Sequence, residues 1–112
     1  LMGFSQGCAM TLMAGLRAPQ RLAGLAGLSG YLPLAATTAA ERSEANRDVP
    51  IFLAHGVHDP MVMLDRGEAT RDVLQSLGYD VDWHTYPMAH SVCAEEVQDL
   101  NDWLLRVLAQ PG

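Results

Sequence analysis

Apolar residues recur along three stretches of the chain at a spacing that predicts helices. Gly7 to Leu16 is apolar on nearly every side, which is typical of a buried helix, and Pro19 follows its end. Asp65 to Leu77 carries charged residues on one side, and Gly78 occupies the usual position for a helix to stop. Its apolar side consists of Ala69, Val73, Leu74 and Leu77. A third helix is predicted over Glu95 to Ala109, where two glutamates in the first turn complement the helix dipole.

Shorter apolar runs predict strands. Pro50 to Ala54 is continuously apolar, as in a strand covered on both faces. Leu22 to Leu28 fits a strand or a helix, and its length and its bounding glycine favour a buried strand. Tyr79 to Tyr86 alternates apolar and polar residues, which is typical of a strand near a sheet edge. Pro33 to Asp48 has no clear period and is predicted to be a loop or a short irregular helix.

Because strands alternate with helices, the predicted fold class is α/β, with a parallel sheet and helices on its faces. The 112 residues suffice for one small domain, and 49% hydrophobic content with 18% charged content excludes a disordered chain. A net charge of −6 and the absence of lysine argue against nucleic acid or an anionic membrane, since both need clustered cations.

The sequence shows neither a membrane-targeting signal nor the cysteine content of a disulfide-rich protein. No stretch reaches the roughly 18 apolar residues of a membrane span, and no signal peptide is visible. Two cysteines cannot form the disulfide framework of a small secreted protein, and we expect both to be small, buried, reduced residues. We therefore expect a cytoplasmic protein.

The first chemical motif is Gly3-Phe4-Ser5-Gln6-Gly7, which has the form G-x-S-x-G. In this pattern a strand turns abruptly into a helix, and the two glycines leave room where a Cβ would collide. The turn lifts the Ser5 hydroxyl clear of the sheet, and the N–H of Gln6 becomes the natural first donor to an oxyanion. The pattern alone is weak evidence, and the buried helix behind it strengthens it.

A serine nucleophile needs a base, and the base needs an acid that orients it. Asp59 follows the strand Pro50 to Ala54, and His90 follows the strand Tyr79 to Tyr86. Catalytic groups gather at the carboxyl ends of parallel strands, so both residues should lie on the same side of the sheet as Ser5. Asp65 is a competing acid, although its position favours a helix start.

The chain thus carries four blocks in register: Gly3-Phe4-Ser5-Gln6-Gly7, Leu28-Ser29-Gly30-Tyr31-Leu32-Pro33, His55-Gly56-x-x-Asp59-Pro60 and Tyr86-Pro87-Met88-x-His90-Ser91-Val92-Cys93. These blocks resemble the serine carboxylesterase/phospholipase family, which includes the acyl-protein thioesterases. The resemblance covers nearly the whole chain. It implies that residues 1–112 are a partial α/β-hydrolase domain, the C-terminal half from the nucleophile elbow to the last helix.

The resemblance also implies roles. Ser5 would be the nucleophile, His90 the general base and then general acid, and Asp59 the residue that orients His90. Substrates would be short to medium acyl esters, including thioesters or lysophospholipids, and no cofactor is implied. His55 and His58 lie near Asp59 and superficially resemble metal ligands, but zinc needs three or four ligands, so we expect no metal. We expect His55 to form a hydrogen bond near the sheet end instead.

The chain departs from the family pattern at three positions. Cys8 and Ala89 stand where the family usually has glycine, and Met63 stands where proline is common. The first two changes are small and should only tighten packing. The resemblance also implies that the strands before the elbow, and the loop with the second oxyanion donor, lie outside this chain.

These expected absences support an alternative function. We expect the Leu22 to Leu28 strand to be an open sheet edge, because its upstream neighbour would be absent. The chain would then be an inactive fragment that forms a homodimer through this edge or pairs with the missing half.

Overall fold

Strands and helices alternate along the chain, as the apolar spacing predicts. The computed structural model describes residues 1–109 and contains eight elements. These are β1 (Met2–Phe4), α1 (Gln6–Arg17), β2 (Leu25–Leu28), α2 (Ala35–Glu41), β3 (Ile51–Gly56), α3 (Leu64–Ser76), β4 (Val81–Tyr86) and α4 (Ala94–Leu108). None of these helices combines the length and apolarity needed to cross a membrane.

The strands form one parallel sheet in the order β1-β2-β3-β4. The pairing aligns Phe4 with Leu28, Leu28 with Ala54, and Ala54 with His84. Each crossover between neighbouring strands passes through a helix, so every loop that follows a strand emerges at the same rim of the sheet. The predicted α/β class with flanking helices is therefore confirmed.

The helices cover both faces of the sheet, which explains why β2 and β3 are buried along their whole length. One apolar cluster joins α1 and α3 to the sheet through residues that include Leu12, Ile51 and Leu74. The second joins α4 to the opposite face through Phe52 and Trp103. Full burial of each large apolar side chain contributes about 1.5–3 kcal/mol, so the two clusters hold the rim loops on a rigid base.

Helix α3 has the predicted position, and its buried face contains most of the predicted apolar side. Its buried residues are Gly67, Thr70 and Leu74, whereas Ala69 is exposed. At Gly67 the helix lies close to the sheet, because an added Cβ would lie 2.7 Å from the Nδ1 atom of His55. Val73, Leu74 and Leu77 pack on the core as predicted, so the contact face is the predicted apolar side without Ala69, extended to Gly67 and Thr70.

Two predictions about the strands are wrong. A short strand, β1, precedes the elbow, where the sequence shows no alternating pattern. The predicted edge strand Leu22 to Leu28 is instead the interior strand β2, which pairs with β1 on one side and β3 on the other. Within residues 1–109 the two edges are β1 and β4, and the position of β4 agrees with its predicted alternation.

The segment between β2 and β3 contains the seven-residue helix α2 and a buried polar anchor that the sequence does not reveal. Asn46 is fully buried, and its Oδ1 atom accepts a hydrogen bond of 2.7 Å from the N–H of Leu22. Its Nδ2 atom donates to the carbonyls of Ala18 and Gln20 at 3.1 and 2.7 Å. One side chain thereby ties this segment to the α1–β2 loop.

Candidate active site

Ser5 stands at an abrupt turn between β1 and α1. Its backbone has φ 59° and ψ −117°, a conformation that is strained for a residue with a side chain. Its N–H donates to the carbonyl of Leu28 at 2.8 Å, and its own carbonyl accepts from Ala9 at 3.2 Å. The strand ladder and the first turn of α1 together hold the strained residue in place.

The two glycines of the motif have different roles. A Cβ added at Gly3 would lie 2.2 Å from the carbonyl carbon and oxygen of Gly7, so only glycine allows this close approach. A Cβ added at Gly7 would meet nothing within 4 Å. The steric argument for paired glycines is therefore correct for Gly3 and wrong for Gly7. A side chain at Gly7 would meet open space, and only the backbone of Gly7 lies against Gly3.

Asp59 is buried in the β3–α3 loop, and both of its carboxylate oxygens are engaged. Its Oδ1 atom accepts hydrogen bonds from the N–H groups of Met61 and Val62 at 2.8 and 2.9 Å. Its Oδ2 atom lies 2.6 Å from the Nδ1 atom of His90. Burial raises the pKa of this carboxyl, but the hydrogen bonds from His90, Val62 and Met61 outweigh burial and hold the pKa below its usual value.

His90 bridges the acid and the serine. Since the ionised Asp59 can only accept, the Nδ1 atom of His90 carries the proton and donates to it. The Nε2 atom is then unprotonated and accepts a hydrogen bond from the Ser5 hydroxyl at 2.8 Å. The structure therefore brings together all three residues that the sequence singled out, in the order of contacts that a nucleophile, base and orienting acid require.

The other candidate residues lie outside the hydrogen bonds that join Ser5, His90 and Asp59. Asp65 is in the first turn of α3, away from the imidazole contacts. The Nε2–H of the buried His55 donates to the carbonyl of Val62 at 2.6 Å, as expected of a histidine near the sheet end. Gln6 is the exposed first residue of α1, so its N–H has no partner inside the helix and remains the predicted oxyanion donor. Among the described residues, no three potential ligands form a metal-binding group.

The loops that carry Asp59 and His90 pack tightly against each other. A Cβ added at Gly56 would lie 2.3 and 2.4 Å from the carbonyl oxygens of Met88 and Ala89. The N–H of His58 donates to the carbonyl of Met88 at 3.1 Å. Glycine at the end of β3 therefore lets the two loops approach, which fixes the separation of the acid and the base.

The side chains of the cysteines, Ala89 and Met63 make none of the hydrogen bonds that join Ser5, His90 and Asp59. Both cysteines are free; burial raises the pKa of the Cys8 thiol to about 12, and Cys93 is half-buried. Cys8 packs so closely on Gly30 that an added Cβ there would lie 2.5 Å from the Cβ of Cys8. Ala89 and Met63 are exposed.

Two features of the site were missed by the sequence analysis. The amides of Met61 and Val62 bind the second oxygen of Asp59, and the Asp59-Pro60 pair, typical of a turn, was the available signal for this arrangement. The ring of Phe4 lies 4.9 Å from the imidazole of His90, between centroids, and no spacing in the sequence indicates that contact.

Comparison with known proteins agrees with this geometry. The phospholipase/carboxylesterase family matches residues 1–108. The chain is 44% identical over 109 residues to acyl-protein thioesterase 1 of Gibberella zeae and 48% identical over 105 residues to that of Neurospora crassa. These matches cover 95% and 91% of this chain but 46% and 43% of the relatives. The chain thus spans about half the length of the curated relatives it matches.

Solved structures give the same result. Arabidopsis thaliana SOBER1 superposes with a TM-score of 0.90 at 32% identity, covering 96% of this chain and 51% of that one. Zea mays acyl-protein thioesterase 2 gives 0.88 at 28% identity, covering 96% and 55%. The Bacillus cereus carboxylesterase, at 18% identity and a TM-score of 0.80, shares the fold over 95% and 48% of the two chains. The expectation of half an α/β-hydrolase matches this coverage.

Proposed function

Because the chain belongs to the phospholipase/carboxylesterase family, we propose that it acts as a serine hydrolase on carboxylic esters. The observation that carries the proposal is the continuous set of hydrogen bonds from Ser5 through His90 to Asp59. A serine that merely caps a helix has no reason to contact a histidine 85 residues away in the chain. The strained backbone of Ser5 further supports a functional role.

In the proposed mechanism, the Oγ atom of Ser5 bonds to the acyl carbon while the Nε2 atom of His90 takes the hydroxyl proton. The carbonyl oxygen becomes an oxyanion that accepts from the N–H of Gln6. When the carbonyl re-forms, the ester bond breaks, and the leaving alcohol or thiol takes the proton from His90. Water then attacks the acyl-enzyme by the same steps and releases the carboxylic acid. Asp59 holds the imidazole in its tautomer throughout.

The substrate class follows from the relatives named above. We propose acyl esters of short to medium length, including thioesters or lysophospholipids, because the relatives are acyl-protein thioesterases and the matched family is that of phospholipases and carboxylesterases. The negative net charge favours neutral or cationic partners over nucleic acid. A cytoplasmic location stays a prediction.

Labelling with a fluorophosphonate probe tests the nucleophile. We expect one equivalent of label, which peptide mass spectrometry locates at Ser5, and no label in Ser5→Ala. Ser91→Ala, which removes an exposed hydroxyl next to His90, is the matched control and should label like the wild type. Absence of label from this chain and from a longer protein that contains it would refute the nucleophile assignment.

A second candidate function is favoured by the edge strand β1. Within residues 1–109, β1 pairs on one side only, and Leu1 and Met2 are 59% and 57% exposed. An apolar groove of about 240 Å³ lies beside it. Its lining includes Leu1, Met2, Leu22, Trp103, Leu104 and Leu108. An open edge beside an apolar groove favours pairing with another chain, so the alternative is an inactive fragment that self-associates or pairs with the half of its relatives that it does not match.

Size-exclusion chromatography with light scattering distinguishes this alternative. Self-association predicts a dimer that Met2→Lys converts to a monomer, because a charge on the strand face opposes pairing. A wild-type monomer with a single sharp thermal transition would count against it.

A further inference from the structure

The ring of Phe4 lies against the imidazole of His90, with centroids 4.9 Å apart and planes inclined by 38°. We propose that Phe4 is a positioning residue for His90, which holds the plane of the imidazole so that its two nitrogens reach Asp59 and Ser5 together. This inference rests on the proposed function, since it assigns Phe4 a part in the same reaction.

The hydrogen bonds of His90 leave one motion unrestrained. Bonds at Nδ1 and Nε2 fix the positions of both nitrogens, but the ring can still tilt about the line that joins them when the backbone of His90 shifts and carries the Cβ atom with it. His90 lies in the irregular segment between β4 and α4, where no strand or helix ladder holds its backbone. A contact on the face of the ring is therefore what limits the tilt.

Phe4 is well placed to supply that contact. It is the last residue of β1, in register with Leu28, and the N–H of the next residue, Ser5, is bonded to the Leu28 carbonyl at 2.8 Å. The aromatic ring is therefore tied through one peptide bond to the serine whose proton His90 takes. Strand alternation places Phe4 on the same face as Met2, whose side chain lines the groove beside α4.

The aromatic character of Phe4 adds a second effect. His90 becomes an imidazolium when it takes the Ser5 proton, and the face of an aromatic ring within about 6 Å attracts a cation. An aliphatic side chain of similar volume would fill the space without that attraction. Phe4 is 39% exposed, so its replacement removes less packing than replacement of a core phenylalanine and leaves the fold intact.

The test compares three variants by the second-order rate of fluorophosphonate labelling. Phe4→Leu keeps apolar volume but removes the ring, and we expect labelling to slow by about 3- to 10-fold, the range of an aromatic pair. Phe4→Tyr retains the ring and should stay within about 2-fold of the wild type. Met10→Leu, at an exposed position on α1, is the control and should have no effect. Thermal unfolding should show all three variants folded.

Proton NMR supplies an independent readout. The proton that Nδ1 shares with Asp59 should give a low-field signal that is sharp in the wild type and in Phe4→Tyr but broadened in Phe4→Leu. Equal labelling rates and equal signals in Phe4→Leu and the wild type would overturn the proposal. If neither the wild-type chain nor a longer protein that contains it takes label, the proposed function fails, and the NMR comparison alone decides whether Phe4 holds the imidazole.

Discussion

Two histidines, His84 within β4 and His90 in the loop after it, lie beside carboxylates, but the surroundings of the two differ. His90 contacts Asp59, whose side chain is fully buried and whose other oxygen is held by two backbone amides. His84 lies 2.9 Å from Asp82 and 3.6 Å from Asp99, and those side chains are 36% and 39% exposed. The second region therefore has the histidine and carboxylates of the first, but its carboxylates are exposed to solvent.

In the second region the hydroxyl that contacts a carboxylate belongs to Tyr86, and it donates to Asp99 at 2.7 Å. Burial and the bond to Asp99 raise the pKa of Tyr86, so this hydroxyl holds its proton more tightly. A histidine beside an aspartate is thus insufficient. A buried acid and a serine on strained backbone distinguish the first region, because orientation supplies much of the catalytic effect.

The largest predicted difference between the regions comes from their acids. Asp59→Asn should slow labelling at Ser5 by about 10⁴-fold, because an amide donates to Nδ1 and stabilises the wrong tautomer of His90. Asp82→Asn and Asp99→Asn, measured by the same labelling rate, should stay within about 2-fold of the wild type. A similar loss in Asp99→Asn would mean that both regions serve the reaction.

The second prediction concerns the two glycines of the turn at Ser5, a turn that the region around His84 does not have. Gly3→Ala places a Cβ 2.2 Å from the Gly7 backbone, so we expect a loss of labelling of about 10²-fold or more and about 3 kcal/mol lower unfolding free energy. Gly7→Ala meets open space on the helix and should be neutral or more stable by up to about 1 kcal/mol. Chemical denaturation and labelling measure both. Equal damage from the two variants would contradict the steric assignment.

The smallest predicted effect concerns a second buried carboxylate, near Tyr86. Glu96 is fully buried, and neither carboxylate oxygen has a hydrogen-bond partner among the described residues. Burial raises the pKa of Glu96 from 4.5 to about 6. The folded chain therefore binds more protons than the unfolded chain between these values, so stability falls as pH rises from 4.5 to 6. Asp59 has the opposite shift, and its contribution is lost as pH falls through its lowered pKa.

Glu96→Gln should remove this decline. Its unfolding free energy relative to the wild type should increase from pH 4.5 to pH 7 by up to about 2 kcal/mol, the equivalent of the pKa shift. Urea denaturation at several pH values measures the difference. Glu95→Gln, at an exposed position in the same helical turn, is the matched control variant. A flat difference for Glu96→Gln would show that the carboxylate finds a partner in solution.

The longer elements and the candidate site residues are predictable from the sequence, because apolar spacing marks the elements and residue type at the ends of strands marks the candidates. Helix α4 shows its period over four turns, and Ser5, Asp59 and His90 are recognisable by residue type and chain order. The strand β1 was missed, because three residues cannot show a pattern and form a strand only when β2 offers its backbone.

Contacts between distant segments account for the remaining differences. Nothing local indicates that Asn46 bridges two loops or that the ring of Phe4 meets His90. The burial of Glu96 was predictable in principle. It lies seven and eleven residues before Trp103 and Val107, and therefore on the apolar face of α4, although its place in the first turn suggested a surface role.

Of the four loops that follow the strands, three carry one residue each of the hydrogen-bonded set and one carries none. Ser5 follows β1, Asp59 follows β3 and His90 follows β4, whereas the loop after β2, residues 29–34, lies between the first two and supplies none of the three. Leu34 in this loop is 59% exposed. Because a Cβ added at Gly30 would lie 2.7 Å from the carbonyl oxygen of Ser5, only the exposed end of the loop at Leu34 can vary without pressing on the serine, and selectivity would be altered there.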